Sequence, residues 1–379
     1  MNILLIGEYS RLHNSLKEGL QELGHHVVIL GFKDGFKDYP VDFPIEKKWD
    51  SGFLKKIKVG LHKLTGFNIS SYLTYLQFKK NRNQCTDFDV VQLINENSFY
   101  CGLYYEKKIL KFIFKHNPNV FLLCCGSDYL TVKYNFDNPS MKSLLLPYWE
   151  GKIKNKDFQN VLKFRTKSYN KLHEFIVKNI KGIIASDLDY HIPLKDNPNY
   201  LGLIPNPINI DKLKVQPLNS LDKIIIFHGI NKNNYFKKGN DYFEKALAII
   251  ENKYGNKVEI ITSHDIPYQN YIQLYNKAHI VLDQAYAYDQ GYNALEAMAK
   301  GKVVFTGAEK EFKAFYNINE NVNINALPNV DYLVNKLSFL IENPEEITAI
   351  SKRARTFIEK EHDYIQIAEK YINTWKKDF

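Results

Sequence analysis

The chain has 379 residues, of which 45% are hydrophobic and 25% are charged. This composition is typical of globular proteins and excludes disordered and collagen-like chains. At roughly 100–200 residues per domain, the length predicts two domains. No apolar run approaches the ~18 residues of a membrane-spanning helix, so no transmembrane segment is predicted.

The net charge of +9 is unevenly distributed along the chain. Residues 1–200 contain 29 lysines and arginines against 20 acids, whereas residues 201–379 contain 22 of each. Within the first half, residues 47–82 hold nine basic residues and one acid, Asp50. This basic segment is therefore predicted to face an anionic surface.

The amino-terminal residues predict a cytoplasmic protein, and the cysteines predict buried thiols. Residues 1–4 lead directly into a strand pattern, without the basic region and long apolar core of a signal peptide. The cysteines lack a paired C-x-x-C spacing, so buried thiols are expected rather than a metal site or a disulfide. They are Cys85, Cys101, Cys124 and Cys125.

The first half opens with a strand, a helix and a second strand. Residues 2–7 are largely apolar, leucines at 16, 20 and 23 follow at helical spacing, and residues 26–30 form the next apolar run. Continuous apolar strands separated by segments of helix length favour a buried parallel sheet. Further strands are predicted at residues 89–94, 120–124 and 182–185.

A break follows at residues 201–222, where two prolines flank Asn206. Because proline continues neither a helix nor a central strand, this segment is predicted to be a hinge. The alternation of strands and helices then restarts. The predicted strands are residues 223–227, 258–262, 279–282 and 302–305, the predicted helices are 240–250, 271–278 and 294–299, and residues 330–379 are predicted to be helical.

The pattern as a whole predicts two doubly wound, Rossmann-like α/β domains that face each other across a cleft. The domains are residues 1–200 and 223–360, and residues 361–379 are expected to form a helix that packs back toward the first domain. Ligands of parallel sheets bind at the carboxyl ends of the strands. The loops that follow the strands are therefore the candidate sites.

In the second domain, a tyrosine-rich loop with Gly291 precedes a helix. The glycine allows close approach of a ligand, and the free N–H groups of the first helical turn favour phosphate. Glu296 lies one turn into that helix and can accept hydrogen bonds from sugar hydroxyls. The alternative is that Glu296 only stabilises the helix dipole.

Two other strand-end loops carry polar residues. The stretch 228–239 combines glycines with Lys232, Lys237 and Lys238, which can neutralise a diphosphate or form a solvated loop. In the first domain, Asp128 follows strand 120–124. It is a candidate sugar-hydroxyl acceptor or base, or simply the N-cap of the next helix.

Three motifs resemble the retaining nucleotide-sugar glycosyltransferases of the GT-B fold, family four. They are PNPINIDKL at residues 205–213, a glycine loop ending in Lys238-Gly239, and LEAMAKGKVV at residues 295–304, in the order that the family has. The resemblance implies that Lys238 contacts the donor diphosphate and that Glu296 binds the nucleotide ribose. It also implies that the backbone amides of Gly291, Tyr292 and Asn293 hold phosphate.

Three positions differ from the family pattern. The first of the family's paired glutamates falls on Tyr288, next to Asp289; an arginine is replaced by Ile230, next to Asn231 and Lys232; and a histidine is replaced by Cys125. Asp128 and Glu296 are the predicted catalytic residues. The other predicted site residues are Gly229, Asn231, Lys232, Lys238, Asp289, Gly291, Tyr292 and Asn293 on the donor side, Tyr9, Ser10 and Asp128 on the acceptor side, and His228 as a secondary candidate.

Lysine and amide dipoles can balance the diphosphate charge without metal, so the site is predicted to need neither metal nor cofactor.

In the basic segment, Leu54, Ile57, Leu61 and Leu64 share a helical stripe. A basic amphipathic helix lies in a membrane interface, but an ordinary surface helix with its stripe on the core fits equally. Nucleic acid is not expected, because no zinc spacing, RNP signature or helix-turn-helix accompanies the charge.

The predicted function is transfer of a sugar from a nucleotide-sugar donor to a glycan or lipid-linked saccharide, in cell-surface polysaccharide synthesis, with retention implied by the resemblance alone. The enzyme is expected in the cytoplasm, peripherally on the inner leaflet of the cell membrane. One alternative is a non-catalytic GT-B subunit that binds a nucleotide sugar or a partner enzyme, which the three departures favour. Another is a GT-B epimerase that acts on the nucleotide sugar itself.

Overall fold

The structure is a computed structural model that describes residues 1–32, 39–218, 220–266 and 268–377. It contains two parallel sheets, with helices packed against each. This confirms the predicted class of two Rossmann-like α/β domains. In the described part of the chain, no helix is both long and apolar enough to cross a membrane.

The first domain is built on a seven-stranded parallel sheet, with the strand order β3-β2-β1-β4-β5-β6-β7. Every residue of β4 and β5 is buried, which is why these strands are continuous apolar runs rather than alternating ones. The elements are β1 (Asn2–Ile6), α1 (Leu12–Glu22), β2 (His26–Gly31), β3 (Phe43–Pro44), α2 (Gly52–Thr65), α3 (Ile69–Asn81), β4 (Val90–Leu93), α4 (Leu103–His116), β5 (Val120–Cys124), α5 (Tyr129–Asp137), α6 (Leu146–Trp149), α7 (Asn155–Leu162), α8 (Lys167–Val177), β6 (Gly182–Ala185), α9 (Leu188–Leu194) and β7 (Tyr200–Leu203).

The second domain has a five-stranded parallel sheet, with the strand order β12-β11-β10-β8-β9. Its elements, including the carboxy-terminal helices, are β8 (Ile224–Ile230), α10 (Tyr235–Lys238), α11 (Asn240–Tyr254), β9 (Val258–His264), α12 (Tyr268–Lys277), β10 (Ile280–Leu282), α13 (Tyr292–Ala299), β11 (Val303–Thr306), α14 (Lys310–Phe315), β12 (Ile324–Asn325), α15 (Val330–Glu342), α16 (Pro344–Glu361) and α17 (Tyr364–Lys376).

Two strand boundaries differ from the sequence prediction. Residues 200–203 form the edge strand β7, so the connection between the domains begins after Leu203 rather than at residue 201. The pattern hid this strand because it is short, half-buried and interrupted by Gly202. Strand β8 continues to Ile230, three residues beyond the predicted end, because its pairing with β9 runs on through His228 and Gly229.

The carboxy-terminal helix α17 returns to the first domain and packs against α1. Trp375 is fully buried there, with its ring centroid 6.3 Å from that of Phe121. The backbone N–H of Ile208 also donates to the carbonyl of His362, so the chain crosses between the domains twice, side by side.

Candidate functional site

A cavity of about 380 Å³ lies where the two domains face each other. Ser10, in the loop after β1, lines it from the first domain. The second domain contributes loops after β8 and β9, the end of α10 and the start of α13. Among its lining residues are Gly229, Asn231, Lys238, Tyr271 and Asn293. The cavity is thus at the carboxyl ends of the strands, where the sheet geometry predicts a ligand site.

Lys238 is the one cationic side chain in the described lining of the cavity, which also contains Asp265. Its Nζ lies 2.8 Å from Oδ1 of Asp283, the first residue after β10, whose side chain is 1% exposed. The Nδ2 of Asn293 donates to the same oxygen at 3.4 Å, and Oγ1 of Thr306 donates to Oδ2 at 3.4 Å. The buried carboxylate therefore holds the lysine ammonium in place while 30% of the lysine side chain stays accessible to an anion.

The backbone around Lys238 requires glycine. Gly239 has φ of +77°, and a Cβ at that position would lie 2.9 Å from the Cβ of Ala285. Gly229 meets a similar restriction, because its Cβ would lie 2.6 Å from Cε2 of Tyr271. The Tyr271 hydroxyl in turn donates to Oδ1 of Asn293 at 3.2 Å. These contacts bring the loop after β8, helix α12 and the first turn of α13 together at one wall.

Glu296 lies three residues after Asn293, on the same face of α13 and one turn behind the cavity. It is only 5% exposed. Burial raises the pKa of the Tyr292 hydroxyl well above its ordinary value, and the negative charge of Glu296 raises it further. The predicted contact of Glu296 with a ribose stays a prediction.

Comparison with known proteins adds a second line of observation. Residues 237–373, most of the second domain, match the family model described as Glycosyl transferase-like. Sucrose-phosphate synthase from Thermosynechococcus elongatus aligns over all of this chain and 98% of its own, at 14% identity and a TM-score of 0.61. The chain has the GT-B fold. No curated protein sequence matches it significantly.

Two further structures with this fold were solved with nucleotide. HepE from Anabaena, in complex with UDP and glucose, aligns over 99% of both chains at 13% identity, with a TM-score of 0.56. MnaA from S. aureus, solved with UDP, aligns over 100% of this chain and 95% of its own at 10% identity, with a TM-score of 0.54. The resemblance to GT-B glycosyltransferases is thereby confirmed for the fold and the second domain, and family four stays a prediction.

In this GT-B chain, two residues predicted on the donor side lie between the domains instead. Oδ2 of Asp289 accepts from the backbone N–H of Leu188 at 3.1 Å, and the Asp289 side chain is outside the described cavity wall. The Tyr292 hydroxyl is hydrogen-bonded to Oγ of Ser15 and donates to the carbonyl of Pro207, each at 2.6 Å. Only its backbone N–H remains a candidate for phosphate, as does that of Gly291, the N-cap of α13.

Lys232 and His228 also differ from their predicted positions. The Lys232 side chain is 71% exposed and is not part of the described lining of the interdomain cavity, although its Nζ lies 3.7 Å from Oδ2 of Asp265, which is part of it. His228 is fully buried within β8, with Nε2 2.9 Å from Oδ1 of Asn240. Burial lowers the pKa of His228, so the structural alternative describes this histidine. It is absent from the described cavity lining because its ring packs on α11, with its centroid 5.7 Å from that of Phe243.

Asp128 is the N-cap of α5. Its Oδ1 accepts from the backbone N–H of Thr131 at 2.8 Å, and Oδ2 accepts from the Thr131 hydroxyl at 2.9 Å. The residue is 1% exposed, and burial together with nearby Glu96 raises its pKa to about 6. The capping alternative therefore describes the contacts of Asp128, and its acceptor and catalytic roles stay predictions.

Of the other two acceptor-side residues, Ser10 lines the cavity and Tyr9 is not in the described lining. Ser10 and the following residue, Arg11, have φ of 52° and 82°, so the loop after β1 turns sharply before α1. This turn places Ser10 on the cavity wall. Tyr9 packs beside it, with its Cε2 3.4 Å from where a Cβ on Gly126 would lie.

Sequence reasoning missed two acidic features. The first is Asp283, which could have been identified as the first polar residue after an apolar strand. The second is a cluster between the domains, in which carboxylate oxygens of Asp187, Asp189 and Asp289 lie within 4.8 Å of one another. The prediction of metal independence left the Asp187-Leu188-Asp189 triplet out of account, and three such carboxylates have the chemistry to hold a divalent cation.

This aspartate cluster joins the domains by reciprocal bonds. Asp289 accepts from the backbone N–H of Leu188, and Asp189 accepts from that of Tyr288 at 3.1 Å. Burial raises the pKa of Asp189 to about 6, and burial and mutual repulsion raise those of Asp187 and Asp289 well above their usual range. The cluster is outside the described lining of the cavity, so its place is at the domain contact rather than at the diphosphate.

Proposed function

We propose that the chain is a glycosyltransferase that binds a nucleotide-sugar donor in the interdomain cavity and transfers the sugar to a glycan or lipid-linked saccharide. The observation that carries this proposal is the position of the Lys238 ammonium on the cavity wall, held by a buried carboxylate. The glycosyl transferase-like match of the second domain supports it, as do the related folds solved with UDP.

The chemistry follows from charge. A nucleoside diphosphate gains negative charge as it leaves the sugar, and fixed donors stabilise that charge more in the transition state than before it. Lys238 and the first-turn N–H groups of α13 supply such donors. Neither needs a metal ion, so we also propose metal-independent turnover. Loss of turnover on chelation, restored by Mn²⁺, would contradict this part. Retention of configuration is proposed from the family resemblance.

The donor site is tested by thermal shift with a panel of nucleotides and nucleotide sugars, since a ligand of the native state raises its apparent stability. A charged hydrogen bond contributes about 1.5–3 kcal/mol, so we expect Lys238→Ala to weaken donor binding by roughly 10- to 100-fold. The matched control is Lys237→Ala, because this neighbouring lysine lines a different cavity. Donor binding that is equal in the two variants, or no nucleotide effect in the wild type, would refute the proposal.

A non-catalytic subunit that binds a nucleotide sugar is the second candidate, and one observation favours it. Asp289 was predicted to bind the sugar donor and Asp128 the sugar acceptor, but both carboxylates accept hydrogen bonds from backbone N–H groups of the protein itself. Release of UDP or GDP from a bound donor separates the candidates. Slow hydrolysis that Lys238→Ala abolishes supports the enzyme, whereas tight binding without any hydrolysis or transfer supports the subunit.

We propose that the protein attaches peripherally to an anionic membrane, on the cytoplasmic side, through the basic segment 47–82. No residue of α2, which the structure describes completely, is buried. Phe53 is 74% exposed, and the stripe residues Leu64, Leu54 and Ile57 are 87%, 45% and 40% exposed, which favours an open apolar face over a stripe packed on the core. An exposed apolar face flanked by lysines is suited to the membrane interface.

Vesicle flotation tests this attachment. Inserting an exposed phenylalanine or leucine side chain gains about 1.5–3 kcal/mol, so Phe53→Ser with Leu64→Ser is expected to reduce binding to anionic vesicles at least tenfold. The control is Phe339→Ser, on α15 of the other domain, which removes a side chain that is 49% exposed. Binding that neither the α2 variant nor salt reduces would refute the attachment.

A further inference from the structure

A second cavity, of about 360 Å³, lies in the first domain between α2, α3 and the segment that precedes them. We call it the α2–α3 pocket. Five basic side chains line it, and Asp50 is the only acid in its described lining. The basic residues are Lys47, Lys48, Lys58, His62 and Lys63.

The charge of the pocket is largely unbalanced. Lys58 is paired with Asp50, with Nζ 2.5 Å from Oδ1. Within the described chain, Lys48 and Lys63 have no carboxylate within ion-pair distance. The Nζ of Lys47 lies over the rings of Phe32 and Tyr100, 5.8 and 5.5 Å from their centroids. Several positive charges around one concave space are complementary to a compact polyanion.

The pocket is held in shape by hydrogen bonds of its serines. Ser70 Oγ donates to the backbone carbonyl of Lys48 at 2.9 Å, which fixes the preceding segment on α3. Ser71 Oγ accepts from the backbone N–H of Gly102 at 2.7 Å, which fixes α3 on the start of α4. Asn68 caps α3 through the backbone N–H of Ser71. Such a preformed site spends less free energy on ordering when a ligand binds.

A chain of aromatic contacts links the pocket to the interdomain cavity. Tyr100 lines the pocket, and its ring centroid lies 5.7 Å from that of Tyr9. Ser10, which follows Tyr9 in the sequence, lines the interdomain cavity. A ligand that reaches from Ser10 across Tyr9 and Tyr100 therefore ends among the lysines of the α2–α3 pocket.

We propose that the α2–α3 pocket binds a phosphate group, and that this phosphate belongs to the acceptor. The assignment to the acceptor rests on the proposed function, whereas the phosphate site does not. Phosphate carries up to two negative charges and several acceptor oxygens, which suit the ammonium groups of Lys48 and Lys63. The phosphate comes either from a soluble phosphorylated molecule or from a lipid, whose apolar part would lie along the exposed face of α2.

Binding measurements on the full chain test the site. The probes are glycerol 3-phosphate, and vesicles that contain either phosphatidic acid or phosphatidylserine in phosphatidylcholine. The variant is Lys48→Ala with Lys63→Ala. The matched control is Lys79→Ala with Lys80→Ala, which removes the same charge from exposed positions of the basic segment outside the described pocket lining.

We expect the pocket variant to bind the phosphate probe at least tenfold more weakly than the wild type, and the control to stay within about twofold. Loss for glycerol 3-phosphate indicates a soluble source; loss confined to phosphatidic acid vesicles indicates a lipid source, and both support the site. Equal weakening of the two variants on every vesicle, or no phosphate binding at all, would overturn it.

Donor binding by the same pocket variant keeps this inference separate from the proposed function. UDP-sugar binding is expected to be unchanged by Lys48→Ala with Lys63→Ala, because neither lysine lines the interdomain cavity as described. A wild type that binds phosphate in the pocket but no nucleotide would refute the proposed function and leave the phosphate site standing.

Discussion

The aspartate cluster between the domains is expected to make the free energy of unfolding fall as the pH rises. Burial raises the pKa of Asp189 from 3.8 to about 6, so between these values the folded chain binds a proton that the unfolded chain has released. The corresponding stability is fully present below pH 3.8 and is lost as the pH rises through about 6. At about 1.4 kcal/mol per pKa unit, the total is about 3 kcal/mol.

Replacing Asp189 with Asn removes this titration while keeping an oxygen for the backbone N–H of Tyr288. Between pH 4.5 and 7.5, the wild type is expected to lose about 2 kcal/mol that the variant retains, because the folded carboxyl titrates near pH 6. The Asn variant should therefore be the more stable protein at pH 7.5. Relief of repulsion on Asp187 and Asp289 acts in the same direction.

The assay is urea unfolding at pH 4.5 and 7.5 in EDTA, which keeps any divalent cation from the cluster. Asp196→Asn is the control, because Asp196 is an exposed acid of the same domain. Comparing each variant with the wild type at both pH values cancels the titrating groups that do not interact with Asp189. A variant whose stability follows the same pH curve as the wild type, or that is less stable at pH 7.5, would refute the reasoning.

Two further predictions concern α17 and the glycine beside Lys238. Trp375→Ala is expected to lower the free energy of unfolding by about 3–5 kcal/mol, whereas Trp149→Ala, at a side chain 40% exposed, should cost much less; similar losses in urea unfolding would contradict the packing of α17. Gly239 and Gly24 both have a positive φ, so replacing either with alanine should cost about 1–2 kcal/mol of folding free energy. Gly239→Ala should cost more than Gly24→Ala, because no atom lies within 4 Å of a Cβ added at Gly24. Only the Gly239 variant should also weaken nucleotide binding, and equal effects of the two would show that the close contact with Ala285 is unimportant.

Most of the fold could be predicted because its strands are local, continuous apolar runs. The predicted strand at residues 182–185 coincides with β6, and that at 120–124 coincides with β5. Strands β3 and β12 have two residues each, too few for any periodicity to show. Lys238 was predicted on the cavity wall because the strand-end rule needs only the chain order of strands and loops.

The partner of each polar side chain could not be predicted in the same way. Asp289 was assigned to the donor from its neighbours in sequence, but its hydrogen bond goes to Leu188, which is 101 residues away. The same holds for Tyr292, whose hydroxyl reaches Ser15 across 277 residues. A side chain between two domains takes the partner that the domain contact brings, and no local pattern contains that information.

The amino-acid sequence by itself determined the two α/β domains, the basic segment and the lysine loop, because burial of apolar runs and the chemistry of each residue type are local properties. The tertiary structure alone decided which acids lie between the domains, that the apolar face of α2 is exposed, and that the rings of Tyr9 and Tyr100 are in contact. Burial, pKa and accessibility depend on what a distant part of the chain places beside each group, and that arrangement exists only after the domains pack.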